Sequence, residues 1–93
     1  MCMDFTLVDL RVGTVAAAAA EGGGLRLQID LGRETREAVT HVAENYGPDD
    51  LVGTQVVVVD RPEGVVVLAA VSPSEGAVVL RPDRPVADGT QVV

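Results

Sequence analysis

The sequence predicts an all-β fold: a five-stranded barrel with a small helix inserted and extension strands toward the C-terminus. Three observations lead there. Short apolar runs of strand length alternate with glycine and proline, and no amphipathic stretch is long enough to stand as an independent helix. The apolar alphabet is Val, Leu, Ile and Ala, which packs pleated surfaces well, and Phe5 and Tyr46 are the only aromatic residues. A chain of 93 residues can close one modest core, so residues 1–93 are expected to form a single domain.

The first strand is read in FTLVDLRVGTV, residues 5–15. Leu10 and Val12 share a face, but Val15 and Ala17 follow Gly13 in the opposite phase. Glycine at such a slip suits a β-bulge that bends the strand around a barrel. The tract Ala16–Ala20 has helical propensity but is closed at once by Gly22, Gly23 and Gly24. It reads as strand end plus hairpin loop, with a helical turn as the alternative. The clearest strand is LRLQIDL, residues 25–31, with Leu25, Leu27, Ile29 and Leu31 on one face and Arg26, Gln28 and Asp30 on the other.

REAVTHVA, residues 36–43, is expected as the third strand and GTQVVVVD, residues 53–60, as the fourth, apolar on both faces. Between them NYGPDDLVG places Pro48 at a first-turn position, Asp49 and Asp50 after it and Gly53 at the end. That asymmetry predicts a helix of one or two turns that plugs a barrel end. VVVLAAV, residues 65–71, is read as a fifth strand, SPSEG, residues 72–76, as a turn, and AVVLR, residues 77–81, as a further strand before a proline-rich tail.

Charge and composition narrow the function. Fourteen carboxylates stand against seven arginines and no lysine, for a net charge of −7. An acidic, lysine-free surface is what adaptation to high salt would produce, since screening removes its self-repulsion. A GC-rich genome is the rival explanation for arginine in place of lysine. No apolar run reaches the length of about eighteen residues that a membrane helix needs, and MCMDF is unlike a signal peptide. A soluble, cytoplasmic protein without membrane insertion is therefore expected.

Catalysis and cofactors find no support in the residues. Cys2 has no second thiol or histidine at ligand spacing. His41, the only histidine, has no neighbouring nucleophile to activate. Asp49 and Asp50 lack the alternating oxygen donors of a cation loop, and the glycines at 22–24 lack the Lys-Ser/Thr ending of a phosphate cradle. No enzyme activity, metal or cofactor is expected.

Five strands with a short helix between the third and fourth is the order of the oligonucleotide/oligosaccharide-binding barrel. The segments VDLRVGTV, LRLQIDLG, NYGPDDLVGTQVVVV and GAVVLRPDRPVADGTQVV, in that order, resemble the tRNA-binding domain family, most closely its stand-alone, export-related CsaA-like chaperones. The resemblance implies an OB fold, a symmetric homodimer, no catalysis, and tRNA or other RNA as ligand. A chaperone for unfolded or exported polypeptide, or a docking module for a synthetase, is the alternative.

In that family the binding surface comprises a Pro- and Lys-containing first loop and an Asn-headed, Pro-containing segment that leads through basic residues to a serine. Here the first loop is AAEGGG and the second DRPEG, with Asp60 where the family has Asn, Pro62 matching, Arg61 supplying one positive charge, and Glu63 near the serine position. The resemblance thus nominates Asp60, Arg61 and Pro62, together with His41 on the ligand-facing sheet. Arg33 and Arg36, flanking the second hairpin, complete the expected RNA- or peptide-binding set. With two aromatics, base stacking is weak and phosphate contacts must dominate. Acidic neighbours such as Glu34, Glu37 and Glu63 make salt-paired arginines the expected state.

Overall fold

The computed structural model describes residues 8–40 and 45–93. Their elements are β1 (Leu10–Glu21), β2 (Gly24–Asp30), β3 (Thr35–Thr40), α1 (Pro48–Leu51), β4 (Gln55–Arg61), β5 (Gly64–Val67), β6 (Ala69–Ser72) and β7 (Gly76–Val79). The first five strands close a barrel in the order β1-β2-β3-β5-β4, and β6 and β7 form a separate two-stranded sheet. All pairings are antiparallel except β3 with β5, which run parallel through Ala38 and Val65. The expected fold class, an all-β barrel with a small inserted helix and C-terminal extension strands, is the one observed.

The period-2 pattern of β2 sets the core. Leu25, Leu27 and Ile29 are buried inside the barrel with Val15, Val56, Val58 and Leu51, while Arg26, Gln28 and Asp30 remain half-exposed. Strand β4 is apolar on both faces as expected: Val56 and Val58 are fully buried, and Val59 of the other face is 8% exposed.

Two expectations for β1 need correction. The strand does not bulge at Gly13, which pairs in regular register with Val56; the register shifts instead between Val15 and Ala17. The change of phase at Gly13 has another origin: Leu10 and Val12 lie on one face, Gly13 and Val15 on the other, and both faces are covered. The alanine tract, moreover, is strand to Glu21 rather than hairpin loop or helical turn, with Ala17 to Ala20 paired to Gln28 to Leu25. Gly22 and Gly23, at φ 54° and 84°, make the tight turn that brings β2 back alongside it. A ready cross-strand partner outweighs the modest helical preference of five alanines.

Helix α1 forms where its proline and acids predict. The Asp50 carboxylate accepts the Gly47 N–H at 2.7 Å, Leu51 is fully buried under the barrel, and Gly53 at φ 85° donates to the Val15 carbonyl at 2.8 Å. One turn cannot persist alone; the buried leucine and that backbone bond hold it. The third strand is described as far as Thr40, and its expected continuation through residue 43 lies outside the described residues.

The expected strand over 65–71 is two strands. At Leu68 the chain leaves the barrel: its N–H donates to Val57 and its carbonyl accepts the N–H of Leu80. Beyond that point Ala69–Ser72 pairs with β7 instead of β4. The Pro-rich tail then crosses back to β1. Val12 donates to Thr90 at 2.9 Å, Gly89 to Val12 at 2.7 Å and Val92 to Leu10 at 2.8 Å. The tail thereby satisfies the β1 edge that β2, ending opposite Thr14, leaves open. Its anchor is Asp88, whose carboxylate accepts Thr14 Oγ1 at 2.5 Å and Gln55 Nε2 at 3.2 Å.

Candidate nucleic-acid interface

Oligonucleotide-binding barrels of this order use the β2–β3 face and the loops joining β1 to β2 and β4 to β5. The outer face of β2–β3 is occupied by an ionic cluster. Arg26 donates to Glu21 at 2.6 and 3.0 Å and to Glu37 at 2.7 Å, and Gln28 donates to the other Glu37 oxygen at 3.3 Å. Its hydrogen bonds to Glu21, and next to Glu37, push the guanidinium pKa above its ordinary value. One cation among two carboxylates leaves this patch net negative, which disfavours a phosphate backbone there.

The β4–β5 turn is different. Asp60, Arg61 and Pro62 line a shallow pocket of about 230 Å³ together with Val8, Asp9 and Val59. Asp60 follows Val56 and Val58 in the two-residue alternation of β4 and so points to the core side at the strand's end. Arg36 likewise precedes Ala38 and Thr40 on the inward phase of β3. The two meet: Arg36 Nη1 donates to Asp60 Oδ1 and Nη2 to the Pro62 carbonyl at 3.3 Å. The Arg36 side chain retains 23% exposure and Asp60 10%. The pocket's other carboxylate, Asp9, is paired with Arg11 at 2.9 Å.

With both acids of the pocket paired, Arg61 is the cation left over. It is exposed beside Pro62, and among the described residues Arg33, Arg61 and Arg81 belong to no ion pair. Arg33 stands exposed in the turn between β2 and β3. Arg33 and Arg36, neighbours in sequence, therefore behave differently: one is solvated, the other bound into the barrel rim. The structure gathers Arg36, Asp60, Arg61 and Pro62 at one place, and His41 lies outside the described residues.

The Arg36–Asp60 pairing was missed from sequence, although its signal is there. Two residues of opposite charge occupy core-phase positions, Arg36 in step with Ala38 and Asp60 in step with Val58. Inward-phase charges need a partner, since burial without one is costly. The tie to the β6–β7 hairpin was also unforeseen. Asn45 Nδ2 donates to the carbonyls of Glu75 and Ala77 at 2.7 and 2.8 Å, and the Tyr46 hydroxyl accepts the Val79 N–H at 3.1 Å. Together they dock the β6–β7 hairpin.

No family model matches the chain. Among curated proteins it is similar to methionine–tRNA ligases, with 34% identity over 100 residues, 94% of this chain, to that of Methanococcoides burtonii. The identity is 51% over 59 residues, 60% of this chain, to that of Salinibacter ruber. The chain spans 15% and 8% of those two ligases. Among solved structures it superimposes on the chaperone CsaA of Bacillus anthracis with a TM-score of 0.88 and 31% identity, covering 100% of this chain and 99% of that one.

Proposed function

The chain belongs to the CsaA-like tRNA-binding family, and from that premise we propose that it is a non-enzymatic RNA-binding protein whose ligand is tRNA. The observation that carries the reading is the exposed, unpaired Arg61 on the β4–β5 turn, the connection through which barrels of this order take oligonucleotides. Arg33 adds a second solvated cation. Affinity rests on phosphate contacts, because no aromatic platform is available among the described residues beyond Tyr46, whose hydroxyl is engaged by the β6–β7 hairpin. Binding is accordingly weak, low in sequence preference and strongly salt-dependent.

The protein acts as a homodimer in this proposal. Val71, Val78 and Leu80 of the β6–β7 region are 80%, 41% and 40% exposed, and pairing such surfaces across a two-fold removes them from water and sets two Arg61 patches on one RNA. The cytoplasm of a salt-adapted cell is the compartment that fits the acidic surface.

A titration of tRNA at several salt concentrations tests the reading. Each phosphate contact contributes about −0.7 to the slope of log K against log salt on a single strand, so Arg61→Ala should weaken binding and flatten the slope by about that amount. Tight binding that persists in molar salt, or an Arg61→Ala protein that binds as well as wild type, refutes Arg61 as a contact.

A second reading, a chaperone for extended polypeptide, is favoured by Val39 and Val66. They are 49% and 45% exposed and follow the paired residues Ala38 and Val65 on adjacent strands. Retention of unfolded polypeptide with no affinity for tRNA would select it. The similarity to methionine–tRNA ligases keeps docking onto a synthetase as a further role for the same module.

A further inference from the structure

We propose that Asp60 sets the affinity of the β4–β5 rim for polyanions by holding Arg36 in an internal ion pair, so that a phosphate backbone meets one cation there instead of two. The inference rests on the RNA-binding reading for its biological meaning, though its physical content does not depend on it.

Arg36 commits one guanidinium nitrogen to the Asp60 carboxylate and another to the Pro62 carbonyl at 3.3 Å. Asp60 is 10% exposed. For a phosphate to capture Arg36, it must first strip the guanidinium from a carboxylate that water barely reaches, leaving a charge uncompensated at the barrel rim. A ligand bound at the surface, in full contact with water and salt, is a poor competitor for that partner. High salt does not change the outcome, because a partly buried pair is screened far less than an exposed contact.

The position makes the neutralisation consequential. Arg36 keeps 23% exposure and its second bond is to Pro62, the neighbour of Arg61. Its charge, once uncancelled, would stand against the turn that carries Arg61. Asparagine at position 60 would keep the side-chain oxygen that accepts from Arg36, and hence the packing, while removing the charge that cancels it. The acid at this position thus acts as an attenuator rather than as a ligand contact. Asp9, whose backbone carbonyl accepts the Asp60 N–H at 2.8 Å, is itself paired with Arg11 at 2.9 Å.

Salt-gradient elution from immobilised heparin and tRNA titration, applied to wild type, Asp60→Asn, Arg36→Ala/Asp60→Asn and Glu63→Gln, test the proposal. Asp60→Asn should elute later from heparin and bind tRNA about fivefold more tightly at 0.1 M salt, the gain fading toward 1 M; one added phosphate contact with a slope of about −0.7 gives that change over a tenfold range of salt. Arg36→Ala/Asp60→Asn carries the wild-type net charge and should return to wild-type behaviour. Glu63→Gln makes the same charge change on the exposed turn and should gain less than Asp60→Asn. Equal heparin elution of wild type and Asp60→Asn overturns the inference while leaving RNA binding by Arg61 intact. A gain that survives removal of Arg36, or that Glu63→Gln matches, also overturns it, since the effect is then one of net charge. A gain on heparin that depends on Arg36, with no variant binding tRNA, upholds the inference and defeats the RNA-binding reading.

Discussion

Replacing Gly13 by alanine should destabilise the barrel, against the usual sign of such a change. Where the backbone conformation suits any residue, Gly→Ala stabilises by about 0.4–1 kcal/mol through the unfolded chain. Gly13 has no left-handed φ and sits in regular strand register opposite Val56, so conformation alone predicts a gain. Space predicts a loss. A Cβ at this position would lie 2.5 Å from Ile29 Cγ2, 2.9 Å from Leu31 Cδ2 and 3.0 Å from the Asp30 carbonyl oxygen. Ile29 is fully buried in the barrel core, where packing is dense and a side chain yields only at a cost.

Overpacking of this kind costs about 1–3 kcal/mol, which after the entropic gain leaves a net loss of up to about 2.6 kcal/mol, about 1.3 kcal/mol at mid-range. For a domain of this size the mid-range value is a fall in melting temperature of roughly 5–10 °C. Urea unfolding of Gly13→Ala, Ile29→Ala and the double variant measures it. Ile29→Ala alone should cost about 2–5 kcal/mol, and the double variant should be at least about 1 kcal/mol more stable than the sum, because the new methyl enters the space the isoleucine vacates. A Gly13→Ala protein as stable as wild type, or strict additivity, would refute the placement of Gly13 against Ile29.

Four further outcomes are expected. Tyr46→Phe removes the acceptor of the Val79 N–H and should cost about 1 kcal/mol in chemical denaturation, with amide exchange accelerated at Val79. The Glu75 carboxyl, hydrogen-bonded by Ser72 and then Ser74, should titrate below the usual carboxylate range by NMR, and Ser72→Ala should move it back up. Because its folded pKa is depressed, whatever this turn contributes is present above the ordinary glutamate range and is lost as pH falls through the folded value. Melting temperature should climb as salt is raised toward 1 M, where the screening length is about 3 Å, and a flat response would leave base composition as the account of a lysine-free chain at net charge −7. Light scattering in molar salt should give twice the chain mass of 9.6 kDa, and a monomer at micromolar concentration would defeat the dimer.

The sequence by itself determined the features whose causes are local. Leu25, Leu27 and Ile29 alternate with polar residues, and any strand carrying them must turn that side inward. Pro48, Asp50 and Gly53 fall within six residues, and their capping and φ preferences mark where the helical turn begins and ends. The single cation that AAEGGG and DRPEG carry between them, Arg61, was legible too, since it is a matter of composition.

Only the tertiary structure decided where local preference was weak or the partner distant. Ala16–Ala20 became strand because β2 lay in reach across a two-glycine turn. Residues 65–71 divided at Leu68 because Val57 and Leu80 claim that residue's backbone groups. Arg33 and Arg36 diverged for the same reason. Both are exposed arginines on paper, but Arg36 falls on the inward phase of β3 and meets, across the closed barrel, an acid 24 residues away. A charge turned inward is stable only beside its counter-charge, and closure of the sheet is what brings Asp60 to it.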